Sequence, residues 1–132
     1  MTTEVAIRYS MRSNELDVSA TREGLLEIAD LVEAGDGRVV ADDGVDPLPY
    51  DVCIPLLVVR RLAGGGVVIR VSKEMSDVTL EGGQDALRLL AENLRGLAVE
   101  GADDEHLHLE YFAGHFYLEE ASVPAVVGLV GN

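Results

Sequence analysis

A chain of 132 residues with 24 acidic and 10 basic side chains carries a formal charge of −14, which repels nucleic acid and anionic membrane surfaces and attracts basic proteins. That length suffices for a single domain, residues 1–132, to bury a core unaided, and Cys53, the only cysteine, excludes an internal disulfide and fits a reducing compartment. Apolar runs such as residues 54–59 and 125–130 are too short to cross a membrane, and the opening Met-Thr-Thr-Glu-Val shows no basic-then-apolar signal pattern, so a cytoplasmic location is expected.

Along the chain, Val5, Ile7, Tyr9 and Met11 alternate with polar residues and predict a half-buried first strand. Ser19 is placed to cap a helix whose apolar stripe is Leu25, Ile28, Ala29 and Val32, with Glu23 near its positive end and Gly35 closing it. A short strand is expected over residues 38–42, then an acidic, proline-bearing loop over 43–50. Cys53 precedes an apolar run and reads as a small buried side chain rather than a nucleophile.

Residues 54–62 form a nearly continuous apolar run ending in Arg60-Arg61, the pattern of a strand covered on both faces. Ala63-Gly-Gly-Gly66 then reads as a hairpin turn into an alternating strand over 67–72. A phosphate-cradling loop would need a helix after its glycines, which is absent here. A short strand over 77–81 leads to a second helix, residues 84–95, with Leu87, Leu90, Ala91 and Leu94 on one face, Asp85 in its first turn and Gly96 as its stop. An acidic connector, 100–105, and a last strand within 122–130 complete the chain. The expected fold is α+β, a single mixed or antiparallel sheet with two helices packed on one face, burying Leu25, Ile28, Val32, Leu87, Leu90 and Leu94. Strand, helix, strand, strand recurs in each half, compatible with a duplication that no residue-level match supports.

All three histidines, both phenylalanines and two of the four tyrosines fall within residues 106–118. Alternation sets Leu107, Leu109 and Tyr111 on one strand face and His106, His108 and Glu110 on the other. Ala113-Gly114 offers a two-residue turn, so residues 115–118 are expected to return as the second arm of a hairpin.

Residues two apart on a strand lie ~6.6–6.8 Å apart, close enough for His106, His108 and Glu110 to converge on one ion, with His115 as a fourth donor. A two-histidine, one-carboxylate set suits iron or zinc. Known metal barrels place the carboxylate farther beyond the His-x-His pair, so the favoured reading has no metal and no cofactor here. No Gly-x-Ser-x-Gly elbow is present, and Glu119 and Glu120, as strand neighbours, point to opposite faces, so no catalytic set is assigned. The aromatic residues divide between core and contact surface, and any facing outward beside the histidines would make a partner-binding patch. The candidate contact residues are His106, His108, Glu110, His115 and Tyr117.

The second half resembles the immunity protein 32 family, bacterial proteins grouped as antagonists of polymorphic toxins. The likeness is carried by residues 78–98, running from Val78 through Gly82-Gly83 to Leu94 and Ala98, by His106-Leu-His-Leu-Glu-Tyr111, by Phe116-Tyr-Leu118 and by Ser122-Val-Pro124. It covers residues 67–130, with weaker support from Pro49-Tyr50 and residues 54–61. The resemblance implies a small cytoplasmic α+β protein that is not an enzyme and acts by binding a toxin domain. The charge makes a basic partner the expected one. The competing reading is a small metal- or ligand-binding protein using the His106-His108-Glu110 arm.

Overall fold

A computed structural model describes residues 5–131. Strands β1 (Val5–Ser10) and β2 (Glu15–Ala20) pair antiparallel around a turn in which Asn14 takes the left-handed conformation, φ 58°. Helix α1 (Arg22–Ala34) follows after Thr21, whose hydroxyl accepts from the Gly24 amide at 3.1 Å. It closes at Gly35, φ 75°, whose amide donates to the Leu31 and Val32 carbonyls. Next come β3 (Asp36–Val40), β4 (Val52–Cys53) and β5 (Leu56–Arg61). Then follow β6 (Val68–Val71), β7 (Val78–Gly82), α2 (Gln84–Glu100), β8 (His106–Leu109) and β9 (Ala125–Leu129).

The α+β class is as expected, but the single sheet is not. The described strands form two mixed sheets, ordered β4-β1-β2-β9-β8 and β3-β5-β7-β6. Each contains one parallel pair, β2 with β9 and β5 with β7. The reason lies in the crossovers: α1 carries the chain from the first sheet into β3 of the second, and α2 carries it from β7 back into β8 of the first. The two halves share this plan. An antiparallel pair, one cap residue (Thr21 or Gly83) and a helix precede a strand in the opposite sheet, and each half then supplies a parallel neighbour, β5 or β9, to the other half's strand pair. Leu25 and Leu87, Ile28 and Leu90, Ala29 and Ala91, Val32 and Leu94 occupy matching helix positions, and all are buried.

The helices pack along each other. Arg95 of α2 links them by donating to Asp30 at 2.8 Å and to Glu33, both on α1. The inward residues of both sheets join them in one core, and a residual apolar cavity of about 30 Å³ lies among Leu16, Leu25, Leu57, Leu90, Leu94 and Val127.

Several local expectations are displaced. Ser19 is not the helix cap: it lies in β2, and the cap is Thr21. The expected strand at 38–42 sits at Asp36–Val40, and Met11 lies beyond the end of β1, 54% exposed. The 54–62 run is not covered on both faces, since Pro55 breaks it and only Leu57 and Val59 of β5 are buried. The glycine run does not form a hairpin turn, because β7 lies between β5 and β6. It instead abuts the start of α2, where the Gly83 amide donates to the Gly65 carbonyl at 3.0 Å. A Cβ on Gly82 would stand 2.8 Å from the Gly66 carbonyl oxygen, so backbone fills that place. Gly96 does not stop α2, because Leu97 and Ala98 extend the apolar stripe. The Arg22 guanidinium donates to the carbonyls of Ala98 and Gly101, satisfying groups the helix end leaves free.

Candidate functional site

β8 is an edge strand paired antiparallel with β9, His106 opposite Gly128 and His108 opposite Val126. His106 and His108 are exposed on the outer face of the sheet, as alternation predicts, with Leu109 in the core. The His106 ring covers Gly128, its Cδ2 3.1 Å from where a Cβ would stand. His108 and Glu110 line an open groove of about 310 Å³ with Ser13 and Glu15, from the start of β2 at the same end of the sheet, and residues 124–126. Among the described residues no three His, Cys, Asp or Glu side chains are grouped to hold a metal ion.

The expected hairpin is not formed. Residues 112–115 do turn, with the His115 amide donating to the Phe112 carbonyl at 2.9 Å and Gly114 at φ 88°. The chain then crosses to the other sheet rather than returning along β8. The Val67 amide donates to the Tyr117 carbonyl at 2.6 Å, and the Glu119 amide donates to the Val67 carbonyl at 2.9 Å. β9, with four of its five residues buried, takes the place beside β8 instead. Tyr111, which alternation sets on the face of Leu107 and Leu109, lies beyond the end of β8 and is 37% exposed.

His115 is positioned by the turn itself. Its Nδ1 accepts from the Tyr117 and Leu118 amides at 3.2 and 3.0 Å, so that nitrogen is unprotonated in this arrangement. Its ring contacts Phe112 on one side and meets Tyr117 edge-on on the other, both with centroids 4.8 Å apart. Tyr117 departs from the expectation of a partner contact: it is 6% exposed, and its hydroxyl accepts from Asn93 Nδ2 of α2 at 2.6 Å. Two long-range anchors, Val67 and Asn93, turn the ring inward, and neither is visible from local sequence.

Burial pushes the Tyr117 phenol above the ordinary tyrosine value, partly offset by the bond from Asn93. The folded state thus holds that proton more tightly than the unfolded chain. The associated stability is fully present below about pH 10 and is lost as pH rises through the folded value. Tyr117→Phe is expected to cost ~0.5–1.5 kcal/mol at neutral pH, for the lost hydrogen bond, and to flatten the alkaline decline. Denaturant titrations of both proteins from pH 8 to 11 check this; parallel declines would show that the phenol is not the source.

The remaining chemistry is quiet. Cys53 is half-buried, its thiol donates to the Val45 carbonyl at 3.2 Å, and burial pushes its pKa up, away from the thiolate a nucleophile needs. Glu119 Oε1 accepts from the Gly66 amide at 2.9 Å and ties the loop to the glycine run, while Glu120 is exposed. No described helix is long and apolar enough to cross a membrane. The candidates that the sequence reading grouped only generally are Phe112 and Phe116, 60% and 89% exposed. Their signal was the crowding of aromatic residues around one glycine turn.

Residues 77–130, which contain β7, α2, β8, the aromatic turn and β9, match the family model described as immunity protein 32. Among curated proteins and among solved structures, nothing matches the chain.

Proposed function

We propose that this protein is a non-enzymatic immunity-type protein that neutralises a bacterial toxin domain by stoichiometric binding in the cytoplasm. The family match over residues 77–130 carries the reading. That segment is also where the acidity is least diluted, for after Arg95 the sequence has no Lys or Arg while carboxylates recur from Glu100 to Glu120. A basic toxin domain would be drawn to such a surface and held there by complementary charge. The metal-binding alternative gains no support from the arrangement of His106, His108 and Glu110, whose side chains share a face without converging.

The test is co-expression with the product of the adjacent gene, scored by growth rescue and by co-elution in size exclusion. Rescue with a stable complex of fixed stoichiometry is expected. A toxin that stays fully lethal and elutes separately would remove the reading for that pair.

A further inference from the structure

We propose that the aromatic turn over residues 110–116 is the partner-contacting surface, and that its occupant is a protein presenting an apolar pocket within a basic surface. The inference rests on the immunity reading and deepens it by assigning the face and the chemistry of the partner.

The turn displays the only two phenylalanines of the chain, Phe112 at 60% and Phe116 at 89% exposure, with Tyr111 beside them. Val40, Leu48 and Val99 are also strongly exposed, but they lie apart along the chain, on β3, a loop and α2, and exposed apolar side chains of this kind are ordinary. Clustered exposed aromatic rings are what binding hot spots are made of.

The turn is also held in shape before any partner arrives. The rings of Phe112, His115 and Tyr117 contact one another in series from solvent to core, with Tyr117 anchored by Asn93. His115 Nδ1 accepts two backbone amides beneath Phe116, and the Val67 amide and carbonyl fix the chain on either side of Leu118. Little ordering is left for a partner to impose, so more of the contact energy appears as affinity.

Charge selects the occupant. Glu110, Glu119 and Glu120 flank the turn, and no Lys or Arg lies in the sequence from residue 96 onward. A second copy would bring the same carboxylates against themselves, and an anionic lipid surface would be repelled. A basic protein surface with room for two rings satisfies both the aromatic residues and their rim.

The probe is the product of the adjacent gene, catalytically inactivated, titrated against wild type, Phe116→Ala, the Phe112→Ala/Phe116→Ala pair and, as a control at an exposed apolar residue outside the turn, Val99→Ala. Phe116 is nearly free of intramolecular contact, so its single variant keeps the test valid even if loss of Phe112 disturbs the fold. Phe116→Ala is expected to weaken binding by about tenfold or more, chiefly through faster dissociation, with Val99→Ala unchanged. Wild-type binding that Phe116→Ala and the double variant leave intact, or that Val99→Ala weakens equally, overturns the turn as the contact while sparing the immunity reading. A wild type that does not bind the toxin domain overturns both. Light scattering and vesicle co-sedimentation cover the other occupants: self-association or lipid binding abolished by Phe116→Ala would overturn the assigned partner.

Discussion

Replacing Leu90 by alanine is expected to destabilise the protein by ~2–5 kcal/mol, the range for truncating a fully buried leucine. Leu90 is 0% exposed on α2, at the place where the inward residues of both sheets meet the two helices. It lines the apolar cavity of about 30 Å³ together with Leu16, Leu25 and Leu57, so the deletion enlarges an existing void. Collapse into that void would require shifting two sheets and two helices at once, which places the expected loss in the upper part of the range. Such a loss is a large fraction of the ~5–15 kcal/mol by which domains are stable. Denaturant titration reads it as a lower midpoint at unchanged slope. A loss under about half a kcal/mol would place this helix face outside the core, contrary to its burial.

The helices were the most legible part of the sequence because their periodicity reports burial directly. Leu25, Ile28 and Val32, and Leu87, Leu90 and Leu94, are all buried as their spacing predicts. Strand alternation is a weaker message: it names the inward face but not the neighbour. It set His106 and His108 outward correctly, yet could not say that β8 would pair with β9 rather than with residues 115–118. The same ambiguity turned Ala63-Gly-Gly-Gly66 into a false hairpin, since β7 arrives later in the chain to separate β5 from β6. β2 carries its own signal, since Leu16, Val18 and Ala20 alternate, but Ser19 within it is equally a good helix cap, and local pattern does not choose between the two. Gly96 shows the reverse case, a poor helix residue carried inside α2 by the buried Leu97 and Ala98 that follow. At the candidate site, the inward turn of Tyr117 depends on Asn93 and Val67, and the outward turn of Phe116 follows from it. Local pattern carries no trace of such long-range anchors.

If the proposed partner is basic, association is expected to slow by roughly 10- to 100-fold as salt rises from about 0.01 M to about 1 M. Over that range the Debye length falls from ~30 Å to ~3 Å, so the field of a chain at −14 ceases to reach beyond first contact. The effect should be carried by exposed carboxylates such as Glu110 and Glu120. These have no cationic neighbour in sequence after Arg95, and ion pairs such as Arg95 with Asp30 and Glu33, or Arg70 with Glu81, lie elsewhere. Dissociation should respond less, because the contact that must break is the apolar seating of Phe112 and Phe116, which salt does not weaken. Stopped-flow association and dissociation rates with the inactivated toxin domain separate the two arms. Salt that left association unchanged while accelerating dissociation would mean that short-range ion pairs hold the complex. In that case neither long-range steering nor an apolar anchor would describe how it forms.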